Sequence, residues 1–156
     1  MSRLILLDAN TLGLATNPGG KPDAQACAAW IEALLRGGDR VLAAEIADYE
    51  IRRELLRARK LAGVARLDRW RETGAYVPLT TEAMLLAATF WAEARQQGRP
   101  TAPDLALDGD VILAGQAEVL RRAGNTVIVA TDNVRHLARF TDARRWQEIQ
   151  PTAPPP

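Results

Sequence analysis

The chain has 156 residues, of which 47% are hydrophobic and 25% charged, and its formal net charge is +1. This length fits one domain that can bury a core without disulfides, and the composition is that of a globular protein. The single cysteine, Cys27, excludes an internal disulfide framework and fits a reducing compartment. No apolar run reaches the roughly 18 residues that a membrane helix needs, so we expect a cytoplasmic protein without a membrane partner.

The first half of the chain alternates short apolar runs with amphipathic stretches. The run before Asp8 is continuously apolar, which is typical of a buried parallel strand. Asp23 is expected to cap a helix whose apolar stripe begins at Cys27. In chain order we expect a strand at 4–7, a loop at 17–20, a helix ended by Gly37, a strand at 41–43, a charged helix at 46–61, a short helix at 66–72 and a strand at 75–77.

The second half continues the alternation. Thr81 is expected to cap an amphipathic helix, and the apolar run before Thr131 predicts a second buried strand. We expect this helix to be followed by a loop at 98–103, a helix at 107–122, a strand at 126–130, a short helix at 134–140 and a last strand at 146–149. Residues 1–150 are expected to form a single domain, and residues 151–156 a disordered, proline-rich tail.

Strands that alternate with helices favour an α/β fold, a three-layer α/β/α sandwich around a mostly parallel central sheet. In such sheets, functional groups gather beyond the carboxyl ends of the strands. Asp8 and Asp132 both lie where a predicted apolar strand ends. This placement makes them candidates for one common site.

Four carboxylates stand out by their positions. Asp8 and Asp132 follow strands, Glu50 lies early in the charged helix, and Asp110 lies early in a later helix. Carboxylates that converge repel one another and are costly to bury unless a cation neutralises them. Hard oxygen ligands suit Mg²⁺ or Mn²⁺, and such an ion can activate water and stabilise the leaving oxygen of a phosphodiester. A metal-dependent phosphodiesterase site is therefore the favoured interpretation.

Each acid also has a purely structural explanation. Asp8 can take part in turn chemistry, and Glu50 in a helical ion-pair lattice with neighbouring arginines. Asp110 can be a favourable charge near a helix N-terminus, and Asp132 can cap the helix that follows, as Asn133 also can. Together, the four positions favour the functional explanation, with Asp132 the most open of them. Asp108 is expected to act as a helix cap or to support Asp110.

The residues around these acids resemble the PIN-domain family, and in particular the VapC-like toxin ribonucleases of type II toxin–antitoxin systems. The resemblance covers nearly the whole chain up to Ile149. Its four motifs occur in the family's order: LLDANTL at 6–12, IADYEIRREL at 46–55, DVILAGQA at 110–117 and VATDNVRHL at 129–137.

The resemblance implies a PIN-like fold and a pocket that binds Mg²⁺ or Mn²⁺ and cleaves RNA. It implies that Asp8, Glu50 and Asp110 act as metal ligands and catalytic acids, and that Asp132 completes the pocket. It also implies that Asn10 and Thr131 orient the ligands. The partners that it implies are RNA, a small antitoxin protein and a second copy of the chain in a homodimer.

The sequence departs from the family pattern in its closing motif, where the position of the acid varies and His136 occupies the later position. The identity of the fourth ligand therefore stays open, although we expect no catalytic role for His136.

Two other functions are compatible with parts of the sequence. A catalytically silent PIN-like module would bind RNA or protein, but it would be expected to have lost part of the acidic set, which is complete here. An aspartate-nucleophile phosphotransferase is the other, since Asp8 and its neighbours are similar to the opening motif of haloacid-dehalogenase-like enzymes. That chemistry needs a second aspartate where this chain has Asn10.

Overall fold

The computed structural model describes residues 2–17, 19–104 and 107–152. Within these residues, five strands and seven helices alternate, as the sequence predicts for an α/β fold. The strands are β1 (Leu4–Leu7), β2 (Arg40–Ala44), β3 (Tyr76–Val77), β4 (Val127–Ala130) and β5 (Ala143–Arg144). The helices are α1 (Ala9–Ala15), α2 (Pro22–Arg36), α3 (Glu45–Arg57), α4 (Leu61–Glu72), α5 (Thr81–Gln96), α6 (Gly109–Arg122) and α7 (Val134–Leu137).

The five strands form one sheet in the order β3-β2-β1-β4-β5, and every neighbouring pair is parallel. The sheet is flanked by the helices, so the predicted three-layer α/β/α sandwich is confirmed. The central strands β1 and β4 are buried along their whole length, which explains why their sequences are continuously apolar rather than alternating.

The strand order reverses at the centre of the sheet. From β1 the chain winds outward to β2 and β3, and it then returns to the other side of β1 as β4 and β5. Leu7 pairs with Ala130 in the register of β1 and β4, so the residues that follow these strands emerge side by side. Such a switch point is where open α/β sheets place their ligands.

Several helix boundaries differ from the sequence prediction, among them the end of the helix predicted at 134–140, which stops at Leu137. The helix predicted to be capped by Asp23 begins at Pro22, because proline favours the first helical position, and Asp23 lies in its first turn. Thr80, not Thr81, caps α5, since its hydroxyl accepts a hydrogen bond from the amide of Ala83. The helix predicted at 107–122 begins at Gly109, with Asp108 as its cap.

The charged helix predicted at 46–61 is interrupted. Helix α3 ends at Arg57, and Arg59 adopts a positive φ of 56°, which reverses the chain direction. Helix α4 then begins at Leu61 and packs back on α3, where Gly63 lies against the side chain of Leu55. The short helix predicted at 66–72 is the second half of α4.

The last strand predicted at 146–149 is wrong. The edge strand β5 lies earlier, at Ala143–Arg144, and Trp146–Glu148 is a 3₁₀ turn. Trp146 and Ile149 are both buried, and a spacing of three places them on one face of such a turn. Trp146 packs on Trp30, with 5.4 Å between the ring centroids, and the Trp30 indole donates to the carbonyl of Ile149.

Part of the predicted tail lies against the domain. The Thr152 hydroxyl and amide contact the Asp39 carboxylate, which also forms a two-point ion pair with Arg3. The remaining tail residues, 153–156, lie outside the described residues. In the parts of the chain that the structure describes, no helix is long and apolar enough to cross a membrane.

Candidate functional site

Asp8 leaves the sheet at the end of β1 and caps α1. Its Oδ1 accepts a hydrogen bond of 2.6 Å from the Ala9 amide, and its Oδ2 accepts one of 2.6 Å from the Thr131 hydroxyl. Helix α1 was not predicted from the sequence; it begins immediately after the strand because Asp8 satisfies its first free amide. The carboxylate is thus held at the switch point of the sheet.

Thr131 follows β4 on the neighbouring strand and is completely buried. Its hydroxyl donates to Asp8 and accepts from the Asn133 amide at 2.9 Å. Since a hydroxyl has one proton, the bond from Asn133 leaves that proton for the carboxylate of Asp8. Thr131 therefore fixes the orientation of Asp8.

Glu50 and Asp110 reach the site from α3 and α6. They line the same small cleft, together with Tyr49, Arg53 and other residues of the two helix ends and the loop before α6. Asp110 lies in the first turn of α6, where Asp108 caps the helix by accepting from the amides of Asp110 and Val111. The Asp108 carboxylate also accepts a hydrogen bond from the Thr101 hydroxyl, which ties the preceding loop to the helix start.

Glu50 is close to the backbone of α6. A Cβ atom added at Gly109 would lie 2.1 Å from Glu50 Oε1, a distance that no side chain can occupy. A residue without a side chain at this position therefore allows Glu50 to approach Asp110. The sequence pattern does not predict a role for Gly109, although this glycine lies between two residues that it does single out, Asp108 and Asp110.

The three partly buried carboxylates oppose one another's ionisation. Burial is the main cause that raises the pKa of Asp8, Glu50 and Asp110. The charges of Asp8 and Asp110 raise the pKa of Glu50 further, and Asp8 does the same for Asp110. Such mutual repulsion is characteristic of carboxylates arranged for a cation or for acid–base chemistry.

Asp110 is also held by the turn after β4. Its Oδ2 accepts a hydrogen bond of 2.7 Å from the Asn133 side chain and lies 3.2 Å from His136 Nδ1. The hydrogen bond from His136 lowers the pKa of Asp110 and partly offsets the effect of burial. Sequence reasoning assigned neither residue to the site, because the contact joins two elements that are more than twenty residues apart.

The other predicted site residues take different places. Asp132 is exposed at the end of β4, yet it is near enough to raise the pKa of Asp8 by charge repulsion. Asn10 is exposed in the first turn of α1, and among the described residues it donates no hydrogen bond to a carboxylate of the site. Asn133 stands at the N-cap position of α7, but its side chain is directed to Asp110 rather than to the helix.

The chemistry of the site fits a hard divalent cation. The side chains that converge from β1, α3 and α6 offer carboxylate oxygens, which suit Mg²⁺ or Mn²⁺ rather than zinc. As the side chains stand, however, no three His, Cys, Asp or Glu residues of the described ranges form a group that could hold a metal ion directly. Both carboxylate oxygens of Asp8 accept hydrogen bonds, from Ala9 and Thr131, and Oδ2 of Asp110 accepts one from Asn133. Coordination would thus need intervening water or a rotation of the side chains.

Structural comparison identifies toxin–antitoxin complexes as neighbours of this fold. A chain of VapBC2 from Rickettsia felis, in a crystal structure with a promoter DNA fragment, superimposes with a TM-score of 0.69 at 15% identity, over 92% of this chain and 98% of its own. A chain of FitAcB from Neisseria gonorrhoeae superimposes with a TM-score of 0.67 at 17% identity, over 93% of this chain and 99% of its own. A chain of VapBC-1 from nontypeable Haemophilus influenzae superimposes with a TM-score of 0.65 at 18% identity, again over 93% of this chain and 99% of its own.

At these identities the likeness shows the fold, and it confirms the PIN-like architecture that the sequence predicts. The neighbours also agree with the resemblance to VapC-like toxins that the four motifs carry. No family model matches the chain, and no curated protein is similar to it in sequence.

Proposed function

We propose that this protein is a Mg²⁺- or Mn²⁺-dependent endoribonuclease that serves as the toxin of a toxin–antitoxin pair. The observation that carries the proposal is the convergence of Asp8, Glu50 and Asp110 at the switch point of the sheet, where burial raises the pKa of all three and repulsion by neighbouring carboxylates adds to the effect. A site in which partly buried carboxylates repel one another costs stability, and a function in binding a cation accounts for that cost. The structural neighbours, which come from VapBC and FitAB complexes, support the toxin role.

In this proposal Asp8, Glu50 and Asp110 hold the cation, and Asp132 completes the pocket from its exposed position. Mg²⁺ commonly binds through one or two carboxylates, with water and substrate phosphate as its other ligands, so it does not need three carboxylates in direct contact with it. When bound, the cation supplies Lewis acidity that favours deprotonation of water and neutralises the phosphodiester. Thr131 and Asn133 hold the carboxylates in place through their hydrogen bonds.

The partners proposed for the toxin role are RNA, a small antitoxin and a second copy of the chain. An apolar groove between α1, α3 and α4, with the exposed Leu61 on its rim, is compatible with an antitoxin segment. Light scattering of the isolated protein tests the homodimer, which would have about twice the mass of the 17.0 kDa chain. Co-purification with the product of an adjacent reading frame tests the antitoxin.

The test of the activity is cleavage of total bacterial RNA by the purified protein, freed of any bound partner, with and without Mg²⁺ or Mn²⁺. We expect cleavage that requires the cation and is lost in Asp8→Asn, a change that removes one charge and nearly keeps the shape. The matched control is Asp23→Asn, the same change at an exposed carboxylate in the first turn of α2. This control is expected to cleave as the wild type does.

Three results would contradict the proposal. Cleavage that persists in Asp8→Asn would indicate a contaminating nuclease. A folded protein that binds Mn²⁺ but cleaves no RNA would indicate a catalytically silent binding module. Phosphorylation of Asp8 by a phosphoryl donor would indicate a phosphotransferase, although both oxygens of this carboxylate already accept hydrogen bonds.

A further inference from the structure

A basic cleft lies beside the acidic site. It has a volume of about 540 Å³ and is formed by the loop after α5 and by the segment that begins with α7. None of its lining residues is acidic, and four are basic or imidazole side chains. The lining residues are Gly98, Arg99, Pro100, Arg135, His136 and Arg139.

The two walls of the basic cleft are joined by Arg139. Its Nη1 donates a hydrogen bond of 2.6 Å to the carbonyl of Arg99, and its Nε contacts the carbonyl of His136 at 3.4 Å. Arg139 also stands over the ring of Phe140, which itself stacks on Phe90 of α5. The cleft is therefore a built feature of the fold rather than a chance approach of mobile side chains.

The other two arginines of the basic cleft have free charged groups. Arg99 and Arg135 are exposed, and neither forms an ion pair or a side-chain hydrogen bond with residues 2–17, 19–104 or 107–152. By contrast, Arg57, Arg121 and Arg122 are each paired with a glutamate on their own helix. The guanidinium groups of the basic cleft are thus available to an anion from outside.

The basic cleft begins where the acidic site ends. His136 lines the cleft, and its Nδ1 lies 3.2 Å from Asp110 Oδ2, so one side chain separates the two regions. A phosphodiester polymer that places one phosphate at the acidic site carries its next phosphates on either side. The guanidinium fork matches phosphate oxygens in geometry and charge.

We infer that the basic cleft binds a backbone phosphate of RNA next to the phosphodiester that is cleaved, with Arg99 and Arg135 as the binding residues. The inference rests on the proposed function and deepens it, because it fixes the side of the acidic site along which the strand runs. It also explains how a chain with a net charge of only +1 binds a polyanion, because several positively charged side chains lie together in the basic cleft.

The test measures RNA binding separately from cleavage. The probe is a short, fluorescein-labelled single-stranded RNA, and the protein is the full chain carrying Asp8→Asn, in EDTA, so that the RNA stays intact. Arg99→Gln and Arg135→Gln are compared with Arg122→Gln, the same change at the far end of α6 from Asp110. All three arginines are exposed, so the substitutions are expected to leave folding intact.

We expect Arg99→Gln and Arg135→Gln each to weaken binding about five- to tenfold, whereas Arg122→Gln changes it little. The slope of log affinity against log salt should become shallower by about 0.7 for each phosphate contact that is lost from a single strand. In the otherwise wild-type enzyme with Mg²⁺, Arg135→Gln should raise KM with kcat nearly unchanged, because the contact is made to a neighbouring phosphate and not to the reacting atoms.

The inference is overturned if the two variants bind RNA as Arg122→Gln does, or if the parent protein does not bind the probe. Displacement of the RNA by poly-glutamate at equal charge concentration would also overturn it, since the cleft would then prefer an acidic protein segment. RNA binding that depends on the arginines, in a wild-type protein that cleaves nothing, would remove the proposed activity and keep the subsite. RNA cleavage that does not depend on Arg99 or Arg135 would keep the proposed activity and remove the subsite.

Discussion

The hydrogen bond from Thr131 to Asp8 shows how much of the site depends on one buried hydroxyl. The bond joins the ends of the two central strands, and Thr131 has no exposed surface through which water could replace it. Groups that hold a metal-binding carboxylate from behind are often nearly as important for affinity as the carboxylate itself.

Thr131→Val tests this dependence, because valine keeps the shape and removes the donor. We expect the concentration of Mn²⁺ that gives half-maximal cleavage to rise roughly 10- to 100-fold. Thr131→Ser, which retains the hydroxyl, should restore most of the affinity. An unchanged metal requirement in Thr131→Val would mean that the strand ends alone hold Asp8 in place.

Gly109 offers a test of Glu50 that leaves every functional group in the protein. In Gly109→Ala the new methyl group would collide with Glu50 Oε1, so the carboxylate of Glu50 must leave its present position. We expect the cleavage rate to fall at least about tenfold, in line with the loss of one positioned catalytic group. The control is Gly13→Ala in α1, where the new methyl meets only Ile51 at an ordinary 3.8 Å. Full activity in Gly109→Ala would show that catalysis does not depend on the present position of the Glu50 carboxylate.

At the scale of elements, the packing of α5 on α6 positions the helix that carries Asp110. The two helices approach so closely that a Cβ atom at Gly115 would lie 2.3 Å from the backbone carbonyl oxygen of Ala83. A backbone atom cannot move aside as a side chain can, so the helices must separate if a methyl group is added.

We therefore expect Gly115→Ala to lower the free energy of unfolding by about 1–3 kcal/mol, despite the better helix propensity of alanine. Urea denaturation followed by circular dichroism measures the change. Gly13→Ala serves again as control and is expected to be neutral or slightly stabilising. A gain of stability in Gly115→Ala would show that the two helices can adjust their separation freely.

The sequence predicts the elements whose signal is local. Leu4–Leu7 and Val127–Ala130 are continuous apolar runs, and a strand buried on both faces can be recognised from such a run alone. Asp8 and Asp132 lie where these strands end, so the sequence predicts that both lie at one edge of the sheet, and in the structure the charge of Asp132 does act on Asp8.

The features that were missed depend on tertiary contacts. Helix α1 is a single short element whose first amide is satisfied by Asp8, a cap that acts only once the strand is in place. The sequence predicts a strand at Trp146, whereas this residue lies in a 3₁₀ turn and packs on Trp30. Local sequence does not indicate this contact, because the two tryptophans are more than a hundred positions apart. The contact of His136 with Asp110 has the same character, since nothing in either local sequence indicates the other.

At the scale of the whole molecule, Asp39 connects both ends of the described chain. It pairs with Arg3 next to β1 and accepts hydrogen bonds from Thr152 after the last turn. Burial by itself would raise the pKa of Asp39, but the hydrogen bonds and charge of Arg3 and the hydrogen bonds from Thr152 together lower it. A carboxylate with a lowered pKa contributes stability that is present above its unfolded pKa and is lost as the pH falls through its folded pKa.

Asp39→Asn should therefore cost about 2 kcal/mol of unfolding free energy at neutral pH, the usual effect of removing charged hydrogen bonds. The difference from wild type should shrink as the pH falls below about 4, the ordinary value for aspartate. Urea denaturation of both proteins over a pH series measures it. A difference that is independent of pH would show that the charge of Asp39 does not contribute.

The acidic site has the opposite linkage to stability. Because burial and mutual repulsion raise the pKa of Glu50, its ionised form is disfavoured in the folded protein. The resulting penalty appears as the pH rises from the ordinary glutamate pKa of about 4.3 through the raised folded value, and it is complete above that value. At neutral pH, the metal-free protein should thus be less stable than it would be without these opposed charges. Functional sites commonly reduce stability in this way.

Glu50→Gln removes one of the opposed charges and should raise the melting temperature of the metal-free protein at neutral pH by a few degrees, since about 1 kcal/mol corresponds to roughly 2–4 °C in a chain of this size. Glu32→Gln, at an exposed position of α2, is the control. Binding of Mn²⁺ to the folded state raises the melting temperature. Because Glu50→Gln lacks one of the proposed carboxylate ligands, added Mn²⁺ should raise the melting temperature of the wild type more than that of the variant. If Glu50→Gln melts at or below the wild-type temperature and Mn²⁺ stabilises both proteins equally, Glu50 is neither destabilised by its neighbours nor part of the cation site. The proposed site would then consist of Asp8 and Asp110, with Asp132 completing the pocket.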